Sequence, residues 1–189
     1  MTDIEYKSLW DKGIELLDGR INLDGNPLPK PGFFERRRLH KASVLFERAA
    51  SVAPENAAPL LFLGKIEERL GNAEACVDWL KRANELEPNN LIVVLELGGA
   101  LGRSGKHAES ASVMMAVARS HPNDPRIHVN LGLSLLMAGE ANDAVQAFEH
   151  VVKLEPDLPA NRRLLSFAVS VANGTKAAPR SLRELSANI

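Results

Sequence analysis

The side chains that most often carry catalysis or bind metals are few in this sequence, and they lie far apart. Cys76 is the single cysteine, which excludes an internal disulfide framework and a multi-cysteine metal site. The histidines do not have the spacing of metal ligands on one helix; they are His40, His107, His121, His128 and His150. No pairing of a nucleophile with a base can be identified either. We therefore predict no metal site, no cofactor and no enzymatic activity.

One glycine-rich run looks superficially like a phosphate-binding loop. The segment Leu97–Gly102 reads LGGALG. A dinucleotide site places its glycines directly after a β-strand, because the strand aims the loop at the phosphates. Here the surrounding pattern is helical, and we predict that these glycines belong to a helix.

A basic cluster, Arg36–Arg38 with His40 and Lys41, is the second candidate for chemistry. A nucleic-acid site is one interpretation, but no interleaved aromatic residues or recognised nucleic-acid motif accompany the cluster. We favour a solvated helix face, and we predict no nucleic-acid partner.

The bulk composition is that of an ordinary water-soluble protein. The chain has 189 residues, a net charge of -1 and 25% charged residues, so it has no general attraction for nucleic acid or anionic membranes. The N-terminal residues lack the basic-then-apolar pattern of a signal peptide, and no stretch is long and apolar enough to span a bilayer. These features predict a cytoplasmic protein without a membrane partner.

A repeat of 34 residues organises the chain. Pro88, Pro122 and Pro156 are 34 residues apart, and small residues recur at the same interval before them. In the unit that begins at Ala57, the recurring positions are occupied by Leu63, Gly64, Gly71, Cys76, Leu80, Ala83 and Pro88. Small residues at the eighth and twentieth positions allow two helices to approach closely. The glycine at the fifteenth position suits a left-handed helix C-cap.

This pattern resembles the tetratricopeptide repeat (TPR), with full units at 57–90, 91–124 and 125–158. The resemblance implies an all-α fold, a single TPR α-solenoid over 1–189 in which antiparallel helix pairs form a right-handed superhelix. It also implies a protein-binding surface rather than an enzyme.

The unit over residues 1–56 is irregular. Running the period backward predicts a second helix at 33–52, but prolines just before it forbid the expected first helix. We predict that an amphipathic helix at 3–19 takes its place, behind a proline-rich loop at 20–32. Such a long loop is uncommon inside a compact array, and it either docks a partner or serves only as a connector.

The chain ends, in residues 159–189, with a predicted capping helix and a tail. The capping helix at 159–172 is apolar on nearly all sides, whereas a terminal repeat normally has a polar outer face. Either the tail helix, at about 179–187, folds back over it or a second subunit covers it. We favour the tail.

In TPR arrays the first helix of each unit lines a concave groove, and the resemblance carries that geometry to this chain. The predicted electrostatic contacts are Lys65, Arg69, Arg103, Arg126 and Arg163. The predicted apolar and polar contacts are Asn130, Leu133, Leu136, Met137 and Phe167. The carboxylate clamp of chaperone-binding TPR proteins is not expected, since its slots hold Leu61 and Glu96.

We therefore expect a non-enzymatic scaffold or adaptor that binds a peptide or helix of another protein, with acidic and apolar residues, in this groove. Two alternatives remain open. One is a dedicated chaperone or neutralising partner of one secreted or toxic protein. The other is a self-associating assembly factor whose groove or C-terminal face is filled by a second copy.

Overall fold

The computed structural model describes residues 2–21 and 28–187, and within them every regular element is an α-helix. The helices are α1 Thr2–Leu17, α2 Phe33–Val52, α3 Ala57–Leu70, α4 Ala73–Leu86, α5 Leu91–Arg103, α6 His107–Ala118, α7 Pro125–Ala138, α8 Ala141–Leu154, α9 Pro159–Ala172 and α10 Leu182–Ser186. The all-α prediction is confirmed, and the helices predicted at 33–52 and 159–172 have the bounds that the sequence indicated. Part of the proline-rich loop, residues 22–27, lies outside the described residues.

The helices group into two compact units, Met1–Val93 and Val94–Ile189. In the first unit α1 packs on α2, α2 on α3, and α3 on α4. In the second, α6 packs on α7, α7 on α8, and α8 on α9. Within each unit these contacts join helices that follow one another in the sequence, as expected for a repeat array.

The glycine at the eighth repeat position is where the two helices of a unit approach most closely. A Cβ atom on Gly64 would lie 2.7 Å from the Leu80 side chain, and a Cβ on Gly132 would lie 2.7 Å from the Phe148 ring. Both contacts join the eighth position to the twenty-fourth of the same unit. Leu80 and Phe148 are fully buried, so a larger residue at the eighth position would displace the core.

The irregular first pair reproduces this contact with a different connection. A Cβ on Gly13 in α1 would lie 2.7 Å from Cζ of Phe46 in α2. Trp10 packs edge-on against Phe46 at 5.4 Å between ring centroids and against Phe62 at 5.0 Å. Because Phe62 belongs to α3, this aromatic cluster joins the first pair to the next helix. The helix predicted at 3–19 corresponds to α1, Thr2–Leu17, and it packs on α2.

The glycines at the fifteenth position end the first helix of each unit. Gly71, Gly105 and Gly139 have φ angles of 89°, 74° and 87°. This left-handed conformation is costly for residues with a Cβ. The backbone N–H of Gly139 donates to Leu136, and that of Glu140 donates to Leu135, so the last carbonyls of α7 are satisfied.

The C-terminal tail turns back directly after α9. Gly174 has a φ angle of 70°, and the Thr175 N–H and hydroxyl both donate to the Ser170 carbonyl at 2.9 and 2.8 Å. A variant of the capping box then starts α10. The hydroxyl of the N-cap Ser181 accepts from the N–H of Glu184, whose carboxylate accepts from the N–H of Arg180, one residue before the N-cap. The short tail helix is thereby fixed at its N-terminus.

Candidate functional site

A cavity of about 490 Å³ in the second unit brings together four of the residues predicted as partner contacts. Arg103 lies at the end of α5, and Asn130, Leu133 and Met137 lie along one face of α7. Residues 180–183 of the tail also line the cavity. We call this cavity the α5–α7 pocket. Its volume is in the range typical of ligand-binding clefts.

Glycines create much of the space in the α5–α7 pocket. Gly99 and Gly102 are three residues apart on α5, so they share a helix face, and both line the cavity. A Cβ on Gly102 would meet no heavy atom within 4 Å. These are the glycines of the LGGALG run, which the structure places within a helix as predicted.

A buried pair of serines, Ser110 and Ser134, is part of the pocket lining. The Ser110 hydroxyl donates to the Gly98 carbonyl at 2.9 Å and lies 2.8 Å from the Ser134 hydroxyl. The pair links α6 to both α5 and α7, and it satisfies polar groups that would be costly to bury alone. Ser110 occupies the small-residue twentieth position of its unit.

The side chains that line the α5–α7 pocket are positively charged or neutral. The described lining includes Arg103, Arg180, Arg183 and His107, and it includes no acidic side chain. The Nδ1 atom of His107 is buried and has no hydrogen-bond partner among the described residues. The pocket therefore offers hydrogen-bond donors and positive charge beside the apolar side chains of Leu133 and Met137.

Two predicted cationic contacts in the first unit are engaged within the chain. Lys65 is 6% exposed, and its ammonium lies 2.7 Å from the Glu68 carboxylate. Arg69 is held at 2.7 Å from Glu35, and its Nε donates to the Arg20 carbonyl at 2.9 Å. Arg69 thus ties the start of the proline-rich loop to α2 and α3. In this structure neither side chain extends from the surface toward a partner.

Arg126 also lies away from the α5–α7 pocket. Its guanidinium donates twice to Asp124, at 3.0 and 2.6 Å, and Asp124 caps the N-terminus of its own helix, α7. The hydrogen bond from Arg126 holds the pKa of the Asp124 carboxyl below its usual range. The pair strengthens the start of α7.

The remaining predicted contacts divide between core and surface. Leu136 has no exposed surface, so the structure makes it a core residue of α7 rather than an anchor for a partner. Phe167 is 4% exposed, and the Lys176 ammonium lies 5.0 Å from its ring centroid. Arg163 is exposed on α9. Burial of Leu164 and Phe167 within the unit leaves less of α9 for a second copy to cover.

The tail residues that line the pocket were not among the predicted contacts. The sequence predicted that the tail folds back, but it assigned the tail to the face of α9. The structure places Arg180–Arg183 in the lining of the α5–α7 pocket and buries Leu185. The Ser181–Glu184 capping box was the available signal for a fixed helix start, but it does not indicate the surface on which the helix lies.

The described residues contain no group of three or more His, Cys, Asp or Glu side chains able to hold a metal ion. His128 and His150 approach one another, with 4.2 Å between ring centroids, but both Nε2 atoms lie 2.8 Å from the Pro122 carbonyl. Among the described helices, none combines the length and apolar character needed to cross a membrane.

The fold and pocket define a helical repeat protein with a ligand-sized cavity along the first-helix face of its repeats. Models of the tetratricopeptide repeat match residues 57–90 and 95–159, which together make up more than half of the chain. The chain belongs to the tetratricopeptide repeat family. It is 25% identical over 127 residues to tetratricopeptide repeat protein 7A of Homo sapiens, a match that covers 67% of this chain and only 15% of that protein.

Solved structures support the same fold over nearly the whole chain. MamA 41-end from Desulfovibrio magneticus RS-1 is 18% identical with a TM-score of 0.71, over 97% of this chain and 92% of that one. A second MamA crystal structure is 16% identical with a TM-score of 0.72, over 90% and 83% of the two chains. At these identities the likeness extends to the fold alone.

Proposed function

We propose that this protein is a non-enzymatic scaffold that binds a segment of another protein against the face formed by α5 and α7. Membership of the tetratricopeptide repeat family supports a protein-interaction role in general terms. One observation carries the finer proposal: Arg103, Asn130, Leu133 and Met137, selected from the sequence as partner contacts, line a single cavity. A cytoplasmic location is part of the same proposal.

The chemistry of the pocket specifies the partner segment. Leu133 and Met137 are partly exposed and offer an apolar surface, and Met adapts well to side chains of irregular shape. Arginines at the rim favour carboxylates, which they bind through paired N–H groups. The partner segment is therefore expected to carry acidic residues close to apolar anchors.

A pull-down with matched variants of the tagged full-length chain tests the proposal. Arg103→Glu reverses the charge at the pocket, and Leu133→Asn removes its apolar contact. Arg119→Glu is the control, because Arg119 is exposed just after α6 and does not line the pocket. Circular dichroism verifies that each variant is folded.

The expected result is a set of proteins that the wild type and Arg119→Glu retain and that Arg103→Glu and Leu133→Asn lose. Quantitative mass spectrometry measures the recovery of each protein. If the two pocket variants recover the same proteins as the wild type in the same amounts, the α5–α7 face is not the binding site.

A further inference from the structure

We propose that the C-terminal tail is the second wall of an anion-binding site, and that Arg180 and Arg183 contact the carboxylate of a bound acidic ligand together with Arg103. This inference rests on the proposed function, and it identifies further residues of the binding surface and the charge of the ligand. It assigns part of the binding surface to a segment outside the repeats.

The position of the tail is the first support. Arg180, Leu182 and Arg183 line the same cavity as the α5 and α7 residues. The tail is anchored by Leu185, which is 2% exposed, and by the buried Pro179. The capping box fixes the helix start between these two anchors. The backbone that carries the two arginines is therefore fixed, and their exposed side chains start from defined positions at the cavity.

The space that remains between tail and repeats is the second support. If the tail were a substitute ligand, its side chains would fill the pocket, as a bound peptide does. Instead a cavity of about 490 Å³ remains between them, and Leu182 is 52% exposed. The tail borders the pocket without filling it, which is the arrangement of a wall.

Charge is the third support. Three arginines border the α5–α7 pocket, and no acidic side chain is part of its described lining. The nearby Glu184 carboxylate accepts a hydrogen bond from the backbone of Arg180 as part of the helix cap. A cavity bordered by several positively charged side chains favours an anionic ligand. The buried Nδ1 of His107, which has no partner among the described residues, adds a polar atom at the same cavity.

This site differs from the carboxylate clamp of chaperone-binding TPR proteins. Of the residues in the clamp slots of this chain, only Asn130 lines the pocket, whereas Leu61, Lys65, Glu96 and Arg126 do not. The tail arginines lie outside the repeats, so they correspond to no position of the clamp. The ligand chemistry is a carboxylate beside an apolar group, supplied either by a Glu or Asp side chain of a protein segment or by a free small dicarboxylate.

The test uses fluorescence anisotropy with the full-length chain and two labelled peptides. One peptide is rich in Glu and Leu, and the other has Gln in place of every Glu. Competition with glutarate distinguishes a free dicarboxylate from an acidic segment. The variants are Arg180→Gln with Arg183→Gln, Leu185→Asp to release the tail, Arg103→Glu, and Arg119→Gln as the control.

We expect the acidic peptide to bind more tightly than its Gln counterpart, and to lose affinity as salt is raised. Removing both tail arginines is expected to weaken binding about tenfold, since each exposed charge contact contributes about 0.7 kcal/mol. Leu185→Asp is expected to weaken binding similarly, while Arg119→Gln leaves it unchanged. Glutarate that displaces the peptide at millimolar concentration would identify a free dicarboxylate as a second source of the ligand.

Three results would overturn the inference, and each has a separate meaning. If Arg103→Glu weakens binding but the tail variants do not, the face functions without the tail. If Leu185→Asp strengthens binding, the tail competes with the ligand rather than completing the site. If the wild type does not distinguish the Glu peptide from the Gln peptide, the pocket is not an anion site. Partner loss on Arg103→Glu and Leu133→Asn in the pull-down would still support the proposed function in all three cases.

Discussion

Substitution of the glycine at the eighth repeat position tests how the helix pairs are packed. Gly132→Ala would place a methyl group 2.7 Å from Cε1 and 2.8 Å from Cζ of Phe148, a ring with no exposed surface. Ordinary contacts between such atoms begin near 3.5 Å. The rigid ring must therefore shift by several tenths of an ångström within a closely packed core.

Two opposing effects set the size of the change in stability. Overpacking of this kind costs about 1–3 kcal/mol. Replacing glycine by alanine inside a helix contributes about 0.5–1 kcal/mol in the opposite direction. We expect Gly132→Ala to lower the free energy of unfolding by about 1–2 kcal/mol, which corresponds to a fall in Tm of roughly 2–8 °C for a chain of this size.

Two other glycines provide matched controls. Gly102→Ala adds the same methyl where no heavy atom lies within 4 Å, so it is expected to raise Tm by roughly 1–4 °C through helix propensity alone. Gly98→Ala meets the terminal methyl of Met114, a flexible side chain that can change rotamer. It should therefore cost less than Gly132→Ala. Thermal unfolding followed by circular dichroism measures all three, and a Gly132→Ala protein at least as stable as the wild type would refute the packing argument.

Two further predictions concern polar contacts in each unit. Arg69→Ala removes charge-assisted hydrogen bonds to Glu35 and to the Arg20 carbonyl, so unfolding in urea should show a loss of about 1.5–3 kcal/mol. An unchanged urea midpoint would mean that Arg69 does not hold the loop start. Burial, aided by the nearby His150, lowers the pKa of His128, so the folded state binds this proton less readily than the unfolded chain. The stability contributed by His128 is therefore present above its ordinary pKa of about 6.5 and is lost as the pH falls below that value. The urea midpoint should decline between pH 7.5 and 5.5 more steeply in the wild type than in His128→Gln, and equal slopes would contradict the assignment.

Much of the fold could be predicted from the sequence, because the repeat combines several local signals that agree. A glycine such as Gly139 is required where the backbone adopts a left-handed conformation, and its position in the sequence fixes the end of a helix. The absence of space for a Cβ at Gly132 likewise appears in the sequence as a recurring small residue. The long connection between α1 and α2 was predictable from the prolines that precede α2. Proline restricts the backbone of the residue before it as well as its own, so a helix cannot form there.

The candidate site was predictable only in part. The choice of Arg103, Leu133 and Met137 followed from repeat register, and these residues line one cavity. Register does not distinguish a side chain that faces a groove from one that packs on the next helix, however. Leu136 is adjacent in sequence to Met137, yet it is completely buried.

The sequence by itself determined that this protein is a helical repeat, and it determined where helices such as α2 and α9 begin and end. These features depend on backbone conformation and on spacing along one helix, and both are local. Only the tertiary structure decided that Arg69 binds Glu35 inside the first unit, and that Arg180 and Arg183 line the same cavity as residues of α7. Such contacts join residues distant in sequence, so they depend on how whole helices pack, which no local pattern specifies.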